Sequence, residues 1–168
     1  MKKLRLSVLV MFVISMHAFA QNEHNFSFSV GPELSFATGS FANTHSIGTG
    51  GTAQAEYLLI DKLKATATVG LIAYLGKSSI AGQTIIPLRV GAKYTLTRGL
   101  YGAAQLGVAF LGNYDKGTAF AYSPLMLGYE FETKSGKSID ATIKYDAYSG
   151  AGAGTIGAIG FRLAYIFN

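Results

Sequence analysis

The sequence predicts an all-β protein: an eight-stranded antiparallel up-and-down transmembrane β-barrel preceded by a cleaved signal peptide. Three observations support this fold class. Polar and apolar residues alternate in eight segments, tyrosines recur about every 36 residues, and only 14% of the 168 residues are charged. Beyond the N-terminus, no apolar run approaches the roughly 18 positions of a transmembrane helix. This composition excludes helical membrane proteins and disordered chains, and the lack of cysteine excludes a disulfide scaffold.

Residues 1–20 have the pattern of a secretory signal peptide. Three basic residues within the first five positions precede an apolar segment, and Ala18 and Ala20 form a small-x-small cleavage site. We therefore expect Sec-type export, with residues 21–168 as the mature β-barrel domain. Because the signal peptide carries three of the basic residues, the positive net charge does not indicate a nucleic-acid partner.

The alternation defines the strands in order along the chain. It is strict in residues 25–36, 62–75, 85–96, 138–148 and 159–167. In 47–58, 100–111 and 119–132 it is weaker, because glycine and alanine are frequent there. One face of each segment is apolar and the other is polar, as in a strand with two different environments. The pattern predicts eight strands of about 10 to 14 residues.

Aromatic residues recur where every second strand ends. Tyr57, Tyr94, Tyr129 and Tyr165 are separated by 37, 35 and 36 residues, which is about the length of one hairpin of long strands. Aromatic side chains at such positions are typical of the membrane interface. The sequence predicts an aromatic girdle made of Tyr57, Tyr94, Tyr129, Phe131, Tyr165 and Phe167.

The connections between strands alternate in length. Short polar turns are predicted at 60–62, 97–99 and 134–137, and longer connections at 37–46, 76–83, 112–118 and 149–154. Short turns at one end and longer loops at the other are typical of outer-membrane barrels, with both termini on the periplasmic side.

The charged residues within the strands share one parity. Five acidic and five basic residues lie opposite the apolar positions, so we expect them to face the lumen and to form a network of ion pairs. These residues are Glu33, Glu56, Lys64, Arg89, Lys93, Glu130, Asp140, Lys144, Asp146 and Arg162. The pattern predicts a lumen filled by charged and polar side chains, with an outer face free of charge.

A soluble eight-stranded barrel of the lipocalin type is the alternative fold. It would have an apolar interior and a charged outer face, whereas here the apolar face is aromatic at strand ends and aliphatic between them, as a lipid-facing band requires. Pro32, Pro87 and Pro124 interrupt the predicted strands, and each removes one backbone hydrogen-bond donor. We expect a bulge or a shifted strand end near each proline.

Four short motifs carry a resemblance to a known family. They are Gly31-Pro32-Glu33, Ala92-Lys93-Tyr94, Gly128-Tyr129-Glu130-Phe131 and the segment from Arg162 to Phe167. In these motifs the chain resembles the outer-membrane β-barrel domain family common in Bacteroidota, with a small barrel of the OmpA/OmpX type. The resemblance implies location in the bacterial outer membrane and insertion by the barrel-assembly machinery, which recognises the C-terminal strand. It implies no catalytic residue.

Residues suited to catalysis are few. His45, with Asp115 and nearby serines, is the only candidate for a lipid-modifying site, and a solvated loop histidine is the simpler interpretation. The histidines lack the acidic cluster that a metal site would need, and no motif indicates a cofactor.

We therefore predict a non-enzymatic integral outer-membrane protein with a structural or loop-mediated surface-interaction role. A narrow pore for small solutes is the first alternative, and a lipid-modifying enzyme that uses His45 is the second. Expected partners are outer-membrane lipid and lipopolysaccharide, the latter contacted by Lys77 and Lys116. The chain is expected to be a monomer.

Overall fold

Eight strands and one short helix make up the described part of the chain. The computed structural model describes residues 25–132, 138–150 and 154–167. The predicted signal peptide lies outside these residues. The elements are β1 (Phe26–Thr38), α1 (Phe41–Thr44), β2 (His45–Ile60), β3 (Leu63–Gly76), β4 (Gln83–Thr95), β5 (Leu100–Asn113), β6 (Gly117–Glu132), β7 (Ser138–Ser149) and β8 (Ile156–Phe167).

The strands form one closed antiparallel sheet. Each strand pairs with its neighbours in sequence, and β1 pairs with β8 from Phe28–Phe167 to Thr38–Gly157, which closes the barrel. The prediction of an eight-stranded up-and-down barrel is confirmed. We call the end with Phe26 and Phe167 the terminal end, and the end with α1 the loop end.

Side-chain alternation separates an interior from an outer surface. On β3, Val69 is 46% exposed while its neighbour Thr68 is 4% exposed. The outer surface is apolar, and every charged side chain of the described strand residues lies on the inward parity, with Glu132 exposed at the terminal end of β6. The hydrophobic face of each strand is thus turned away from the interior, the arrangement expected for a barrel surrounded by lipid.

Most strands are longer, and three of the four loop-end connections are shorter, than the sequence predicts. Observed strands have 12 to 16 residues, and the loop-end connections are 39–44, 77–82, 114–116 and 150–155, of which the last keeps its predicted length. The first of these connections contains α1, a single turn that the sequence pattern did not indicate. Among the described residues, no helix is long and apolar enough to cross a membrane.

The expectation of a bulge or shifted strand end is wrong at Pro32 and Pro87. Pro32 pairs in register with Gly51, and Pro87 pairs in register with Ala109. On the opposite side of each proline the ladder skips two pairs and then resumes in the same register. A proline lacks only one donor, so one neighbouring ladder opens locally while the other stays intact.

Pro124 does lie at an irregularity. The register of β6 shifts against β5 near Gln105 and against β7 between Tyr122 and Leu125. Both shifts occur around the same proline, so β6 accommodates it with a bulge, as we predicted for this position.

Candidate functional site

The barrel interior is the candidate site, because all ten predicted strand charges point into it. Eight of the ten are nearly fully buried, and Lys64 and Glu130 are 24% and 25% exposed at the terminal end. We call these residues the interior charge network: Glu33, Glu56, Lys64, Arg89, Lys93, Glu130, Asp140, Lys144, Asp146 and Arg162. Five carboxylates and five cations leave the interior formally neutral.

Glu56 lies between two lysines near the terminal end. Its Oε1 is 2.7 Å from Lys93 Nζ, and its Oε2 is 3.0 Å from Lys64 Nζ. Glu130 binds the same two lysines from β6, with a direct hydrogen bond from Lys93 and a separation of 3.8 Å from Lys64. Four charges from β2, β3, β4 and β6 thus join across the lumen.

Arg162 connects four strands on the other side of the interior. Its guanidinium donates to Asp140 Oδ2 at 2.9 Å, to Thr52 Oγ1 at 2.7 Å and to Ser29 Oγ at 2.8 Å. These three acceptors lie on β7, β2 and β1, so one side chain from β8 holds the seam where the barrel closes.

A second group of charges lies towards the loop end. Arg89 Nη1 donates to Asp146 Oδ1 and to Ser123 Oγ, both at 2.5 Å. Lys144 Nζ is 2.9 Å from Glu33 Oε2 and 3.2 Å from Asp146 Oδ2. Every charged residue of the interior network therefore has an oppositely charged partner.

Uncharged side chains extend the network through the middle of the lumen. Gln105 Nε2 donates to Thr66 and Thr68, and Thr68 donates to Gln54 Oε1 at 2.9 Å. Gln54 in turn donates to Glu56 at 2.7 Å. Sequence analysis missed Gln54 and Gln105 as interior residues, although extending the inward parity of Glu56 along β2 would have identified Gln54.

Tyr101 is a further interior residue that sequence analysis missed. Its hydroxyl donates to Asp140 Oδ1 at 2.7 Å, and Lys93 Nζ lies 4.0 Å from the centre of its ring. The ring lies over Gly128 on β6, where a Cβ would come within 2.7 Å of a ring carbon. The alternation in β5 was too weak to assign this tyrosine a direction.

The loop end of the interior corrects the prediction of a charged and polar lumen. Apolar side chains fill it, and we call them the apolar seal: Phe41, Ile72, Tyr74, Ile85, Ala109, Leu111, Ala119, Ala121, Tyr148, Ile156 and Ala158. The alternation predicts which side of a strand a residue faces, but it does not predict whether that part of the interior is polar or apolar. Inward apolar residues are stable here because they pack on one another and on α1, whose Phe41 ring lies against the ring of Tyr74.

His45 belongs to this covered region, so its interpretation as a solvated loop residue is wrong. It is the first residue of β2 and is fully buried. Its Nδ1 lies 2.9 Å from Thr44 Oγ1 and its Nε2 lies 3.2 Å from the carbonyl oxygen of Ala81. Its ring stacks on Phe41, with 4.5 Å between ring centres. Both ring nitrogens are occupied, which leaves neither for a substrate.

The predicted girdle residues lie on the outer surface at the terminal end. All six point outward from even-numbered strands, and on β6 and β8 the girdle rings form close pairs. Tyr129 and Phe131 have ring centres 4.7 Å apart, and Tyr165 and Phe167 have ring centres 4.6 Å apart. Within the described ranges, no group of three His, Asp or Glu residues is placed to bind a metal ion.

No protein-family model and no curated protein sequence matches the chain. Solved structures do match it. Ail, the attachment invasion locus protein of Yersinia pestis, is 15% identical with a TM-score of 0.56, and the match covers 85% of this chain and 99% of Ail. Neisserial surface protein A is 13% identical with a TM-score of 0.59, covering 84% of this chain and 94% of that one.

The N-terminal β-barrel domain of Pseudomonas aeruginosa OprF is also similar, at 16% identity and a TM-score of 0.50, covering 84% of this chain and 97% of the domain. Identities this low establish the shared fold alone. The chain is an eight-stranded barrel of the same architecture as these structures.

Proposed function

We propose that this chain is an integral protein of the bacterial outer membrane with a structural or surface-interaction role and no conduit through its interior. The observation that carries the proposal is the distribution of polarity, with an apolar outer surface around a paired and neutral interior. The shared fold with outer-membrane barrels supports the location. Membership of the Bacteroidota-type family stays a prediction.

A closed interior follows from two barriers in series. The interior charge network joins strands on opposite sides of the lumen, and the apolar seal fills the loop end. Eight strands enclose a space just wide enough for side chains to fill. Passage of a solute would require the separation of buried ion pairs, which is costly in a medium of low dielectric constant.

The proposal also covers the molecules that the protein would contact in the membrane. Lipid would cover the outer surface, and the barrel-assembly machinery would recognise β8. Lipopolysaccharide would meet the loop end, where Lys77 and Lys116 are exposed, although Lys77 Nζ also donates to the carbonyl oxygen of Ala42 at 2.5 Å. We expect a monomer without a cofactor or nucleic-acid partner.

Two measurements on protein refolded into lipid vesicles test the proposal. An unboiled sample should migrate differently from a boiled one on a detergent gel, as a compact barrel does before it is unfolded. In planar bilayers the protein should give no unitary conductance, while a larger porin in the same bilayer serves as the positive control. Regular conductance steps would contradict the closed interior and favour the small-solute pore. A fold that stays in solution without detergent or lipid would contradict the membrane location.

The enzymatic alternative has a separate test. If His45 catalysed a lipid modification, His45→Ala would abolish an acyl transfer or hydrolysis that the unaltered protein performs on outer-membrane lipid. We expect no such activity in either protein, because the ring of His45 is buried and both nitrogens are occupied.

A further inference from the structure

Four buried polar atoms at the boundary between the interior charge network and the apolar seal have no protein partner. They are Arg89 Nε, Arg89 Nη2, the hydroxyl of Tyr74 and the hydroxyl of Tyr148, counted among the residues that the structure describes. The three side chains are 1 to 2% exposed. A buried polar group without a hydrogen bond is unfavourable, and proteins retain few of them.

The four atoms belong to one region of the interior. Arg89 is held by its Nη1, which donates to Asp146 and Ser123. Tyr148 follows Asp146 by two residues on β7 and therefore points into the same lumen. Tyr74 and Tyr148 both belong to the apolar seal.

The geometry of the guanidinium indicates what the region would bind. Nε–H and one N–H of Nη2 point in parallel along one edge, which suits an oxygen acceptor. The tyrosine hydroxyls can each donate one hydrogen bond and accept others. A water molecule matches both requirements, since it accepts from the guanidinium and donates to a phenolic oxygen.

The local charge favours water over an anion. Arg89 and Lys144 are already balanced by Asp146 and Glu33, all within the same chain of contacts. An anion would give this buried group a net negative charge and place it close to two carboxylates. Water satisfies the donors without that cost, and buried waters typically make about three hydrogen bonds to such groups.

We propose that Arg89, Tyr74 and Tyr148 form an internal hydration site, in which ordered water joins the interior charge network to the apolar seal. The tyrosine hydroxyls thereby obtain hydrogen-bond partners at the boundary between the interior charge network and the apolar seal.

Removal of a single hydroxyl tests the site. In a dry interior, Tyr148→Phe deletes an unpartnered polar atom, so the unfolding equilibrium constant in urea would stay unchanged or fall. With bound water this variant loses a hydrogen bond, and we expect that constant to rise about fivefold. The first result overturns the proposal and the second supports it.

Two other tyrosines provide matched controls for the unfolding experiment. Tyr101→Phe removes a hydroxyl that binds Asp140 directly, so it should raise the unfolding constant whether or not water is present. Tyr129→Phe changes an outward-facing residue and should leave the constant close to that of the unaltered protein.

A crystal structure of the full mature protein, grown from sodium bromide, identifies the occupant. Density without an anomalous signal, within hydrogen-bond distance of Arg89 Nε or Nη2, supports bound water. An anomalous bromide peak at that position overturns the proposal in favour of an anion site. Absence of any density beside Arg89 overturns it in favour of a dry interior.

Discussion

At the scale of single residues, Asp146 shows why the interior charges are stable only together. It accepts hydrogen bonds from Arg89 and Ser123 and lies 3.2 Å from Lys144. Its side chain is completely buried. A buried ion pair contributes little net stability compared with an apolar replacement, but removal of one member leaves the other uncompensated.

We therefore expect Asp146→Asn to lower the free energy of unfolding by about 3 kcal/mol, because it leaves Arg89 without its ionic partner. Urea titration of the protein in lipid vesicles measures the change. Asp61→Asn is the control, since Asp61 is exposed in the turn between β2 and β3 and should change stability by less than about 0.5 kcal/mol. Equal effects of the two substitutions would contradict a buried, paired role for Asp146.

At the scale of elements, close packing between β2 and β3 depends on a small residue. Gly48 pairs with Tyr74, and the ring of Tyr74 lies over it. A Cβ at this position would come within 2.6 to 2.9 Å of three ring atoms. An inward tyrosine of the apolar seal is thus accommodated by a glycine on the neighbouring strand.

Gly48→Ala should force Tyr74 to move and lower the free energy of unfolding by roughly 1 to 3 kcal/mol, the usual cost of overpacking. Gly51→Ala on the same strand is the matched control. Its Cβ would meet only a carbonyl oxygen at 3.5 Å, an ordinary contact. If urea unfolding shows that Gly51→Ala is as harmful as Gly48→Ala, the packing of Tyr74 does not explain the effect.

The sequence pattern predicted the strands well and their ends poorly. A period of two is visible wherever one face is apolar, which is why β3 and β7 were assigned within one residue of their observed limits. The pattern weakens near the loop end because residues such as Ile72 and Tyr74 are apolar although they face inward. The seal, α1 and the burial of His45 were missed for this reason.

The ion-pair and hydrogen-bond partners of the interior residues could not be predicted from the sequence either. Parity alone placed Glu56 and Lys93 on the inward side, but their contact joins residues 37 positions apart on strands that are not neighbours. Arg162 and Thr52 are 110 positions apart. Such contacts depend on the stagger of the strands around the barrel, which single-strand patterns do not contain.

At the scale of the whole molecule, the outer surface should respond to charge according to depth. Leu88 points outward near the middle of β4 and is 51% exposed. In a bilayer, Leu88→Arg should lower the free energy of unfolding by roughly 2 to 4 kcal/mol, whereas Leu96→Arg, just after the strand, should cost at most about 1 kcal/mol. Urea unfolding in vesicles distinguishes the two. Similar costs at both positions would contradict a lipid-facing surface.

The central claim is that lipid surrounds a barrel with a closed interior, and a nitroxide scan along β3 tests it most directly. The chain has no cysteine, so single cysteines from Thr66 to Ala73 can be labelled without background. In vesicles, labels at Ala67, Val69, Leu71 and Ala73 should collide readily with oxygen dissolved in lipid, and labels at the intervening inward positions should not. Oxygen accessibility without a period of two, or outward labels that collide mainly with a water-soluble nickel complex, would contradict the account.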